Sequence, residues 1–134
     1  MKSYLLLVVA FFLSACTAHE PRVPPELVGI WASEAAVLRD GKWLISGQAL
    51  YIGADGTGAV LGGPPPIGVK VSVTFDAAMN ALAIDLIERG KLVGQQRATY
   101  DPNGKTINMG AAKPVALTRR SEIFDSSIKK GLGL

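Results

Sequence analysis

The stretch Val69 to Phe75 (VKVSVTF) alternates without a fault, with Val69, Val71, Val73 and Phe75 on one side and Lys70, Ser72 and Thr74 on the other. Only an extended strand sorts residues in this way, because successive side chains of a strand point to opposite faces. A strand with one apolar face needs neighbouring strands and a core beneath them. The chain supplies further candidates at Leu27–Ser33, Gln48–Ala54, Gly58–Leu61, Ala81–Glu88, Leu92–Tyr100, Thr106–Met109 and Val115–Arg119. Between them lie turn signals: Asp55-Gly56, Asp76 to Asn80, Arg89-Gly90, Asp101-Pro102-Asn103-Gly104 and Lys113-Pro114. Strands joined in this way form a meander. Eight of them predict an all-β, antiparallel up-and-down barrel, which closes on itself and leaves no free edge.

Two segments stand outside that pattern. Glu34 to Lys42 (EAAVLRDGK) is rich in helix formers and is expected to be a short helix or a lid-like loop after the first strand. Ser121 to Lys130 has a serine at a cap position, Glu122 in the first turn, and Phe124 and Ile128 one turn apart. It is expected to be a short C-terminal helix on the outside of the barrel. Gly62-Gly63-Pro64-Pro65-Pro66 is expected to be a stiff surface connection.

The N-terminus carries a different message. Lys2 is followed by an uncharged apolar run, Tyr4 to Leu13, and then by Ser14 and Ala15. The run is too short for a bilayer, which takes about 20 apolar residues, and has the shape of an export signal. Its end, Leu13-Ser14-Ala15-Cys16, resembles the lipobox of bacterial lipoproteins, and Cys16 is the single cysteine of the chain. The resemblance implies cleavage just before Cys16, which becomes the lipidated first residue of the mature protein. Residues 1–15 are then a signal peptide, 16–26 the lipidated cysteine with a Pro-rich tether, and 27–134 the barrel domain with its C-terminal helix. Thr17, where an Asp would imply inner-membrane retention, implies the periplasmic face of the outer membrane. The membrane is thus an expected partner through the anchor. The domain has no cysteine pair and must be stable without disulfides.

Composition narrows the function. The net charge is +3, and no basic cluster exists beyond Arg119-Arg120 and Lys129-Lys130. Nucleic-acid binding is disfavoured, since it calls for a concentrated basic face. The single histidine, His19, falls in the tether, which leaves the barrel without a His-based triad or His metal cluster. Neither a catalytic residue nor a cofactor is expected. The run Gly53 to Gly58 (GADGTG) lacks the Lys-Ser/Thr ending and following helix of a phosphate loop and is read as a hairpin turn.

Gly29-Ile30-Trp31 opens the first strand, and the last strand ends in arginine. Together with the eight-stranded meander, these residues resemble the lipocalin or calycin group of barrels. The resemblance implies that Trp31 sits at the closed base and that an arginine packs across its ring. Arg119 is the expected partner, because it shares the face of Val115 and Leu117. The inward-facing residues are mostly aliphatic; Leu92 is counted among them, and Gln96 is the polar exception. Phe75, Ile84, Gln96, Tyr100 and Met109 are the candidate lining of a cavity, with Gln96 and Tyr100 as its polar handles.

An eight-stranded barrel either fills with side chains or holds one small ligand. Two functions follow: a carrier of a small apolar molecule or lipid, or a solid barrel that binds protein through its loops or serves as structure. Small envelope inhibitors of proteases and lysozymes are of the second kind. Ser46 to Tyr51 (SGQALY) is similar to the Ser-Gly-x-x-Tyr loop of lysozyme inhibitors, but has one residue too many. The extra residue turns Tyr51 to the opposite face, so the inhibitory role is not carried over. A connected apolar void of about 300 Å³ or more separates the carrier from the solid barrel.

Overall fold

The computed structural model describes residues 23–39, 42–45, 47–63 and 67–120. A 3₁₀ turn, Pro25–Leu27, leads into β1 (Gly29–Ala32). Then come β2 (Ala36–Arg39), β3 (Lys42–Ile45), β4 (Gly47–Ile52), β5 (Thr57–Gly63) and β6 (Ile67–Asp76). The chain continues as β7 (Ala81–Glu88), β8 (Lys91–Asp101), β9 (Thr106–Met109) and β10 (Val115–Arg120). Eight of these strands close into an antiparallel barrel in the order β1-β10-β9-β8-β7-β6-β5-β4. β1 closes the ring, with Trp31 opposite Arg119 on one side and opposite Leu50 on the other.

The expected turns form. Asp55, Asp76 and Asp101 each accept a hydrogen bond from the main-chain N–H two residues on, at 3.0, 3.0 and 2.9 Å. This local capture of the backbone is what makes aspartate a turn residue. These three turns all lie at one end of the barrel, here called the base. Arg89-Gly90 and the β9–β10 loop lie at the other, the mouth.

The helix or lid expected over Glu34–Lys42 is replaced by strands. β2 and β3 form their own antiparallel hairpin, from Ala36 opposite Ile45 to Arg39 opposite Lys42. Glu34 and Ala35 make only a turn, closed by Ala36 N–H donating to the Ser33 carbonyl at 3.0 Å. The β-favouring residues Val37, Trp43 and Ile45 outweigh the helix preference of Glu34 to Ala36. The buried alanines Ala32, Ala36 and Ala49 gather with Leu61, which places the start of β2 against the outside of β1, β4 and β5. Ser33 is the corner post: it is buried, and its hydroxyl accepts from Gln48 N–H at 3.1 Å. No α-helix occurs among the described residues. The helix expected over Ser121–Lys130 and the anchor at Cys16 lie outside them.

β8 holds a second departure. Leu86 pairs with Gly94, but Ile87 pairs with Leu92, so Val93 is an extra residue, a β-bulge. One inserted residue reverses the alternation, and Leu92, expected inside, shares the outer face of Ile87. It is 66% exposed.

The interior is one continuous apolar cluster. It runs from Val23, Leu27 and Trp31 at the base through Leu50, Val73, Ile84 and Leu117 to Met109 near the mouth. Each fully buried aliphatic contributes about 1.5–3 kcal/mol. Val23 and Leu27 have no exposed surface, so Val23, inside the stretch expected to be tether, belongs to the packed domain.

Candidate functional site

The base is closed by the first and last strands acting on the N-terminal turn. Trp31 is 1% exposed, and its Nε1 donates to the Leu27 carbonyl at 2.9 Å. Arg119 lies on the inner face, and its Nη2 donates to the Val28 carbonyl at 2.7 Å. A Cβ on Gly29 would come within 3.2 Å of Arg119 Nε, and Gly29 holds φ +137, a conformation that side chains rarely adopt. The glycine of the triplet is therefore where the arginine crosses. Arg120 faces outward opposite Ile30, and its Nη2 is 3.4 Å from the Ser33 carbonyl.

The five candidate cavity residues divide between core, base and mouth. Ile84 is fully buried in the middle of the core. Tyr100 stands edge-on to Trp31 with ring centroids 6.0 Å apart, and Phe75 stands edge-on to Tyr100 at 6.5 Å. These rings fill the lower barrel, with geometry typical of favourable aromatic pairs. Gln96 and Met109 meet instead at the mouth, where they line a recess of about 470 Å³. Met109 and Val115 form its floor, Gln95 to Arg97 one wall, Gly110, Ala111 and Lys113 the other, and Gln48 the far side.

The recess exists because two neighbouring strands differ in length. β8 has 11 residues and β9 only 4. β9 pairs with β8 from Ala98 to Asp101 alone, and a last contact runs from Gly110 N–H to the Arg97 carbonyl at 3.4 Å. Above that point β8 is paired with β7 only, among the described residues. Ile84 and Gln96 are direct partners on adjacent strands, yet Ile84 is buried and Gln96 exposed, because only Gln96 adjoins the gap. Arg97 and Lys113 are exposed on the walls, while Lys91, outside the recess at the far end of β8, is exposed opposite Glu88. Asp85 on β7 accepts from Gln95 Nε2 at 2.7 Å. Sequence periodicity singled out Gln96, but missed Gln48, Arg97 and Lys113, since strand length and not alternation brings them together.

Two further grooves lie on the outer surface. One, of about 420 Å³, runs over Ala81 and Ala83 between Thr74, Arg97 and Asn108. The other, at the base, has Tyr51, Asp55 and Lys70 around it. Burial, with a smaller contribution from the Asp55 carboxylate, raises the Tyr51 hydroxyl pKa above its usual value of 10.0. Among the described residues no group of three His, Cys, Asp or Glu side chains is placed to hold a metal ion. Neither protein-family models nor curated proteins nor solved structures give a significant match to this chain.

Proposed function

We propose that this protein is a lipoprotein anchored through Cys16 to the periplasmic face of the outer membrane, whose solid lipocalin-like barrel binds a protein partner at its mouth. The observation that carries the protein-binding reading is the packed interior. The apolar cluster continues from Val23 to Met109, and the aromatic rings expected to line a cavity contact one another and Trp31. A pocket for a small molecule buries most of its ligand's surface. The recess at the mouth is open to solvent and does not enclose its contents.

Carriage of a small apolar ligand is the second reading, favoured by the apolar floor of Met109 and Val115 and the amides of Gln48 and Gln96. The two separate in one experiment on the purified mature protein. Immobilised protein should retain a defined envelope protein, and an Arg97→Glu/Lys113→Glu variant should lose it. Native mass spectrometry that finds a lipid retained one to one, with no protein retained, reverses the choice. The anchor is checked by Cys16→Ser, expected to release the protein from the membrane fraction.

A further inference from the structure

Closure of the barrel pairs most of its strand edges, but above Ala98 β8 outruns β9 by seven residues, a long stretch without a partner on that side among the described residues. The main-chain groups of successive strand residues point alternately to the two sides. The Arg97 carbonyl accepts from Gly110 N–H on the β9 side, so the N–H and C=O of Gln95 point the same way, into the recess. No strand of the described residues covers them. Unpaired main-chain donors and acceptors in a row are a template for another strand. Proteins usually blunt such an edge, and here the Val93 bulge and Lys91 do so only at its upper end.

We infer that the upper edge of β8, from Lys91 to Arg97, is a strand-addition site for an extended, acidic segment of a protein partner. The inference rests on the protein-binding reading and names its mode. The occupant is fixed by charge. Arg97 on the edge strand and Lys113 on the facing loop line the recess with no acid among its lining residues, while Lys91 at the far end of the edge stands opposite Glu88. A second copy would bring its own Lys91, Arg97 and Lys113 to the same edge, and antiparallel pairing centred on Gly94 sets Lys91 against Arg97 twice. Like charges directly opposite in a sheet are destabilising. An acidic strand meets Arg97 and Lys113 at the recess, while its main chain takes up the groups of Gln95. Apolar side chains on its inner side would reach the floor of Met109 and Val115.

The probe is a hexapeptide alternating glutamate and valine, with a lysine–valine peptide and a backbone N-methylated glutamate peptide as controls. With the purified mature protein, the glutamate peptide should slow amide exchange at Gln95 and bind at least about tenfold more tightly than either control. Gln95→Pro removes one edge N–H at a position where proline is tolerated, and it should keep the unfolding temperature and lose the peptide. Arg97→Glu/Lys113→Glu, which leaves the main chain intact, should invert the preference towards the lysine peptide. Equal binding of the two charged peptides, exchange at Gln95 that no peptide slows, or full binding by a folded Gln95→Pro each overturns strand addition. An envelope protein still retained by Gln95→Pro and lost with Arg97→Glu/Lys113→Glu overturns it too, but leaves protein binding standing. Failure of the wild type to retain any protein removes the broader reading itself.

Discussion

The two ends of this barrel are built from the same alternating strands and differ in what they do with their inner faces. At the base the inner positions are Trp31, Tyr100 and Phe75, packed with the buried side chains of Val23 and Leu27, and Arg119 donates to the Val28 carbonyl at the strand's entry. At the mouth they are Gln48, Gln96 and Val115, with no turn folded over them among the described residues and the exposed Lys113 beside them. The core therefore ends at Met109 instead of at the rim. The closed end serves stability, whereas the open end, with two amides, cations and a free strand edge, is where the proposed recognition is placed. The two tasks are separated along the barrel axis, so changes at one end should leave the other's property untouched.

The strongest way to break that contrast is at the base. Trp31→Ala removes the largest fully buried side chain and the hydrogen bond to the Leu27 carbonyl. It should cost about 3–5 kcal/mol in denaturant unfolding. A loss under about 1 kcal/mol would mean that the base is not what holds the barrel shut. Gly29→Ala is expected to cost less, about 1–3 kcal/mol, since it forces a side chain into φ +137 and against Arg119 Nε. A smaller, conditional effect comes from Tyr51, on the outer wall of the base. Its pKa is raised in the folded state, so its contribution to stability is complete below pH 10.0 and is lost as pH rises through the folded value. Tyr51→Phe should flatten that alkaline decline in a pH series of unfolding curves; an unchanged slope would place the titration elsewhere.

Much of this architecture was legible before any coordinates. The faultless alternation of Val69 to Phe75 and the aspartate turns at 55, 76 and 101 are local signals, and the eight-stranded meander follows from them. The hairpin over Ala36 to Ile45 was not, because Glu34, Ala35 and Ala36 favour a helix locally and the strand choice depends on packing against Ala49 and Leu61. Leu92 was misplaced for a related reason: a bulge shows only when the partner strand's register is known. The site was half legible. Gln96 stands out as the polar residue on an apolar face, but its exposure follows from β9 ending seven residues short of β8 in length, which no periodicity reveals. Tyr100 was read as a handle for a ligand by the same periodicity, and it belongs to the aromatic packing of the base.

The smallest expected effect tests the mouth. Gln96 faces inward beside Ile84, where in a filled barrel an amide would need buried partners and its removal would cost a kcal/mol or more. The gap between β8 and β9 instead leaves it in water, so its amide gains little from folding. Gln96→Ala should therefore change unfolding free energy by no more than about 0.5 kcal/mol in either direction. The same variant should weaken whatever the mouth binds, because a partner that closes over the recess would strip water from this amide and must offer it a hydrogen bond in return. A measured loss of stability above about 1 kcal/mol, with binding unchanged, would instead make Gln96 part of the core and extend the closed architecture of the base up to the rim.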